Sequence, residues 1–454
     1  MMTDYTALKL LTARFHLVVL YCVWVMGLAW VMGLAGSGLA SDQIPGKKQA
    51  KPIVLKGAIV HTVSGGNIEE GSIVFVDGKI TAIGKDVAIP DGAEIIDCSG
   101  KHIYPGLFDA HSQIGLIEIE AVRATVDVAE TGSLNPNVRA EVAFNPDSEL
   151  IPVTRANGVL LGLSSPTGSL VHGRSAVMQL DGWTWEQMSL KMNAGMHVRW
   201  PRPVARSGRR ENDGGQTRGE DSSLEELNDW IKNAKLYQAA RQAAPEKQPW
   251  DARLEATLPV IEGRMPLVVE ADQTTQIESA IAFAKSHQLR LIISGGYDAE
   301  LCAPLLRETN TPVIIAGVYR VPQRESDPYD AAYTLPERLE KNGIKFAIAA
   351  ADRFGGSNIR NLPYHAATAV AYGLDPESAI RSITLRPAEI LGVADRVGSL
   401  DVGKDATLFV ADGNILETPT QVERAFVQGR VVDLGSRHTQ LFRKYSEKYK
   451  QLSQ

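Results

Sequence analysis

Two carboxylates stand two residues apart at the end of an apolar run, Met265-Pro266-Leu267-Val268-Val269-Glu270-Ala271-Asp272. Alternate residues of a strand share a face, so Glu270 and Asp272 point to one side and could together ligate a hard cation. A structural reading competes: Asp272 helps to cap a helix that starts near Thr275, while Glu270 meets an arginine. A second apolar run, Phe346-Ala347-Ile348-Ala349-Ala350-Ala351-Asp352, also ends on an acid, with Arg353 and Arg360 close by as candidate partners. The stretch Pro105-Gly106-Leu107-Phe108-Asp109-Ala110-His111-Ser112-Gln113 sets a single histidine behind apolar residues. One imidazole makes a poor metal site, because zinc takes about three or four protein ligands.

The other histidines carry less. His61 and His102 fall among short β segments, and His287 ends a helix, where a cation suits the dipole. His172 follows Ser164-Ser165-Pro166 and Gly168, but no Gly-x-Ser-x-Gly elbow is present to build a serine nucleophile. His197 and Arg199 lie in a weak strand candidate and could face the mouth of the fold that these strands build. His365 follows the Asp352 run on a helix and reads as structural.

The elements that must hold these residues alternate. Extended apolar runs cover Ile103–Phe108, Val159–Ser164, Ala176–Leu180, Met265–Glu270, Leu289–Ile293, Pro312–Gly317 and Ile344–Ala350, with Met196–Trp200 a weaker eighth. Helical periodicity separates several of them, most clearly Thr275–His287, which opens on a Thr275-x-x-Glu278 capping box. Strand-then-helix alternation over this length favours an α/β fold, a (β/α)8 TIM-like barrel. Short β segments at 52–102 and 398–435 flank it, with Asp77-Gly78 a strong hairpin signal. They suggest a composite β-sandwich formed by both chain ends. The barrel is then 103–397, with 204–223 a polar, arginine-rich flexible insertion, and 436–454 a charged surface helix.

The N-terminus differs from all this. Lys9 and Arg14 precede an uncharged run from Phe15 to Ser41 that closes on Gly38-Leu39-Ala40. The pattern predicts a signal peptide over 1–40, with an uncleaved membrane anchor as the alternative, and a linker over 41–51. Either way the protein is expected to be exported, periplasmic or secreted. Membrane contact is expected only through a retained leader. A formal charge of -6 gives no electrostatic footprint for nucleic acid. Cys98 and Cys302 have no zinc-cluster or disulfide spacing and read as buried thiols.

Taken together, three segments resemble the amidohydrolase superfamily, in its imidazolonepropionase-like, exported subgroup: Pro105–His111, Asn361–Ala367 leading to Ser382–Ala388, and Gly398–Val410. The resemblance runs from Pro52 to about Leu434. It implies hydrolysis of C–N bonds at the C-terminal strand ends by metal-bound hydroxide, with zinc lowering the pKa of water from 15.7 to roughly 7. It also implies that Asp352 holds the place of a proton-shuttling carboxylate. The implied ligand set departs from the pattern in two places: Gln113 replaces the second histidine of the first strand, and Gly295-Gly296 replace the histidine of the sixth. What remains as candidate metal ligands is His111, Asp352, Glu270 and Asp272, with Asp352 also the catalytic candidate. That set implies one divalent ion at most, zinc by preference, and not a dinuclear centre. A carboxylate base without metal activation contributes about 10²- to 10⁴-fold, short of the roughly 10⁶-fold expected of an enzyme. Two readings therefore stand: an exported hydrolase of dipeptide, cyclic or other non-peptide amides with a reduced metal site, and an inactive, amidohydrolase-like binding protein. The partner in either case is a small molecule or short peptide, and the oligomeric state stays open.

Overall fold

The computed structural model describes residues 43–202, 220–351 and 356–453, and residues 43–454 form one compact unit. Its first β layer draws on both ends of the chain. Strands β1 (Ile53–His61), β2 (Asn67–Val76), β3 (Lys79–Gly84), β4 (Glu94–Asp97) and β5 (His102–Pro105) come from the N-terminal side. Three more come from the far end: β14 (Leu408–Ala411), β15 (Val422–Val427) and β16 (Arg430–Val432). They join in the order β16-β15-β14-β5-β1-β2-β3, with β4 paired to β1. The hairpin at Asp77-Gly78 forms as its sequence requires, both residues taking positive φ (50° and 79°). Phe75 of β2 meets Phe426 of β15 edge to face at 5.1 Å, although three strands lie between them in the sheet. At about 4.8 Å per strand a flat sheet would hold them far apart, so the sheet curls over its own core as a sandwich.

The barrel strands are β6 (Leu107–Ser112), β7 (Val159–Ser164), β8 (Val171–Gln179), β9 (Ser189–Arg199), β10 (Leu267–Ala271), β11 (Leu291–Gly295), β12 (Val313–Ile315) and β13 (Phe346–Ile348). They pair in chain order, and Ala350 N–H donates to Asp109 Oδ1 (3.4 Å) across the remaining gap between β13 and β6. The eight-stranded TIM-like barrel expected from the sequence is present. Within it β8 runs antiparallel to both neighbours. Only residues 165–170 separate β7 from β8, too few for the dozen or so residues of a parallel crossover, so the chain must reverse there. The boundary between the two layers falls at Gly106: His102–Pro105 pairs with β1 and β14, and the barrel strand begins at Leu107.

Local details shift by a residue or two. The helix after β10 is Thr274–His287, and its capping box uses Gln273 and Gln276, upstream of the Thr275–Glu278 pair. The helix Glu220–Ala243 begins before the helical pattern resumes in the sequence; residues 203–219, most of the expected insertion, lie outside the described residues. Cys98 and Cys302 are buried free thiols. The C-terminal helix, Arg437–Leu452, buries no residue.

Candidate active site at the barrel mouth

Register puts the polar residues in two steps on one side of the barrel strands. Val268 pairs with His197 on β9 and with Ile292 on β11; two residues on, Glu270 pairs with Arg199 and with Ser294. The alternation of a strand carries both steps to the same face. His111 arrives from β6 and His172 from the mouth end of antiparallel β8. Glu270, Arg199, Ser294, His111 and Asp272 line a cleft of about 720 Å³ at the C-terminal ends of the parallel strands. A larger cleft, about 950 Å³, opens at the opposite end around Arg290, Pro312 and Lys345. Lys345 there is paired with Glu389 at 3.0 Å, and no histidine lines that cleft.

Three imidazoles gather at the mouth. The His111 and His197 rings lie 5.8 Å apart, centroid to centroid. His172 Nδ1 lies 3.7 Å from Glu270 Oε1, and Ser294 Oγ is 3.4 Å from His111 Nδ1. Burial lowers the pKa of all three. For His111 and His172 the charge of Glu270 opposes that drop, and for His172 Arg199 adds to it. His197 is pushed furthest, well below the ordinary histidine value, first by desolvation and then by His111 and His172. His197 is fully buried, and neither of its ring nitrogens has a hydrogen-bond partner among the described residues. A buried polar group without a partner costs about 1–3 kcal/mol, and native folds keep few of them.

The carboxylates are differently placed. Glu270 Oε2 accepts from Arg199 Nε at 3.1 Å, so the arginine contact anticipated for Glu270 exists. Asp272 is held bidentately by Arg320, at 3.0 and 2.6 Å, and accepts from the Tyr297 N–H at 3.2 Å. It does not cap the helix that follows; Asp298 accepts from Thr274 N–H there. Asp352 lies outside the described residues. Asp109 is wholly buried and binds backbone, accepting from His111 N–H (3.1 Å) besides Ala350, so it fixes the β6 end. His365 is structural too: its Nδ1 accepts from Val318 N–H at 3.1 Å.

His111 and Glu270 thus share the cleft, as the sequence suggests, while Asp272 shares it locked to Arg320. His197 takes the mouth-facing position its strand allowed, whereas His172, Ser294 and Arg320 are additions that the sequence does not mark as functional. His197 carried a signal, two positions before Arg199 on one strand; His172 carried none, because its strand reverses direction. Among the described residues no three His, Cys, Asp or Glu side chains are grouped so as to hold a metal ion. Among the described residues Glu270 and Asp272 are engaged by arginines, so the imidazoles of His111, His172 and His197 have no free carboxylate beside them, and the described donors do not fit a zinc centre of three or more grouped ligands.

Comparison with known proteins agrees with the fold. The amidohydrolase family model matches residues 299–435. An amidohydrolase of Hapsidospora irregularis, tasK, is 22% identical over 390 residues, 80% of this chain but 39% of that protein. An imidazolonepropionase of Mesorhizobium japonicum is 25% identical over 389 residues, covering 79% of this chain and 89% of the relative. An adenine deaminase of Listeria monocytogenes is 23% identical over 403 residues, covering 88% of this chain and 60% of the relative. Among solved structures, an amidohydrolase from Thermotoga maritima superposes with a TM-score of 0.75 and 26% identity, covering 84% of this chain and 99% of that one. In its barrel, its composite second layer and a polar mouth at the strand ends, the chain is similar to proteins of the amidohydrolase superfamily.

Proposed function

We propose that this protein hydrolyses C–N bonds of small amides, using buried neutral imidazoles at the barrel mouth in place of a full metal cage. The observation that carries the proposal is His197, buried with both ring nitrogens unpartnered among the described residues, beside His111, which itself lies in the field of Glu270. Neutral imidazole accepts a proton from water as the water oxygen attacks the amide carbonyl carbon. Glu270 favours the resulting imidazolium at His111, and the proton then passes to the departing nitrogen as the C–N bond breaks. Arg199, at the lip, supplies a cation near the developing oxyanion. No step is routed through a metal. A single zinc ion, the most that the donors would support, needs Glu270 or Asp272 released from its arginine, or Asp352 brought in. The substrate is a short peptide or cyclic amide that fits the cleft. Export is part of the proposal, supported by the apolar run 15–41 and its Gly38-Leu39-Ala40 close.

A second reading, a binding protein without turnover, is favoured by the same ion pairs, since Arg199 and Arg320 occupy both candidate carboxylates. Metal analysis beside a hydrolysis screen of dipeptides and cyclic amides separates the two. Turnover lost in His111→Ala supports hydrolysis; metal-free protein that binds amides without turning them over overturns it.

A further inference from the structure

The C-terminal helix, Arg437–Leu452, has a face that the fold does not use. Leu441, Phe442, Tyr445, Tyr449 and Leu452 are all exposed, Phe442, Tyr449 and Leu452 at 73%, 67% and 71%. At 3.6 residues per turn their spacing gathers them into one stripe about 100° wide. The helix carries five cations, Arg437, Arg443, Lys444, Lys448 and Lys450, against the single carboxylate Glu447, in a chain whose net charge is -6. Arg437, Lys444 and Lys448 fall along one margin of the stripe, and both lysine Nζ atoms lie 5.9 Å from the Tyr445 ring. An aromatic and aliphatic stripe edged by lysines suits an interface where apolar groups enter the acyl boundary and cations meet headgroup phosphates.

A second observation concerns where the chain outside the described structure ends. The described unit begins at Gln43, whose side chain donates to the Gly435 carbonyl, and Gly435 directly precedes Ser436, the N-cap of this helix. Arg155 clamps the same point, donating to Gln43 and, at 3.2 Å, to the Asp433 carbonyl. The described chain therefore begins beside the N-cap of the cationic helix. No helix among the described residues is long and apolar enough to cross a membrane, so this helix would act at a surface.

We infer that Arg437–Leu452 docks on an anionic lipid surface, with the Leu441–Leu452 stripe in the interface and its lysines on the headgroups. The inference does not depend on hydrolysis at the barrel mouth, nor on whether residues 1–40 are retained. Hydrogen exchange of the full chain tests it, read on peptides spanning 437–452 with vesicles of phosphatidylcholine alone or mixed with phosphatidylglycerol. A retained apolar leader responds to both vesicles, whereas the inference predicts slowing of these amides by at least tenfold only with phosphatidylglycerol. That slowing is reversed by about 1 M salt, where the Debye length is roughly 3 Å. Lys444→Glu with Lys448→Glu restores the exchange seen with phosphatidylcholine, and Phe442→Ser with Tyr449→Ser does the same; neither pair disturbs a buried residue. Equal exchange with both vesicles, or protection that survives these variants, overturns it. Slowing without lipid that grows with protein concentration also overturns it, and identifies a second copy as the occupant.

Discussion

Replacing His197 with leucine separates what the fold gains from this side chain from what the site gains. In the native state the imidazole is neutral, because burial and the neighbouring His111 and His172 lower its pKa well below the ordinary value. In the unfolded chain it titrates near 6.5. As pH falls below 6.5 the unfolded state takes up a proton that the native state refuses, so stability is full above that value and is lost toward acid. A histidine that stays neutral in the fold between pH 7.5 and 5.5 accounts for about 1.4 kcal/mol of that loss. His111 and His172 shift in the same direction and remain in the variant. His197→Leu should therefore lose less than the parent over this interval, by up to about 1.4 kcal/mol. At pH 7.5 it should be as stable or more stable, by up to about 1–3 kcal/mol, since leucine removes the unpartnered nitrogens at similar volume. Urea denaturation followed by tryptophan fluorescence at the two pH values measures both quantities. Equal acid losses in the two proteins would refute the reasoning. So would a variant destabilised by more than about 1 kcal/mol at pH 7.5, which would mean that the ring nitrogens make bonds the fold needs.

Three further outcomes are expected. Asp181→Ala should cost about 3–5 kcal/mol in urea denaturation, because Arg155, almost wholly buried and 3.2 Å from Asp181, loses its carboxylate. Gly158→Ala should cost roughly 2 kcal/mol or more: Gly158 has φ +80°, and an added Cβ would lie 2.9 Å from Phe409 Cζ where the two β layers meet. Arg320→Ala should leave the fold's midpoint nearly unchanged, since the pair is partly exposed. It should also free Asp272, seen as tighter zinc uptake by isothermal titration; unchanged uptake would show that Asp272 is not restrained by Arg320.

Much of the architecture was legible because the patterning is local. Asp77-Gly78 requires a hairpin, and seven of the apolar runs fall on barrel strands; the eighth, Ile103–Phe108, is split at Gly106 between the sandwich strand β5 and the barrel strand β6. The antiparallel β8 departs from the regular strand-helix alternation, and its cue is local: six residues between two strands cannot hold a crossover helix. That reversal hides His172, which reads as a loop residue unless the strand is known to start at the mouth. Glu270 and Asp272 both line the cleft, but a period of two says nothing about which arginine reaches each. Arg320 lies 48 residues from Asp272, and such a contact comes only from the folded barrel. The orphaned nitrogens of His197 could not be foreseen, because they reflect what surrounds the ring in three dimensions.

The central claim is that the chemistry sits on the mouth imidazoles. The most direct test is kcat/KM of the full chain on the best amide found by screening, beside His111→Ala and His197→Leu. The account predicts a loss of about 10²-fold or more in each variant, the contribution of a positioned general base, with the fold intact. Turnover unchanged in both variants would contradict it.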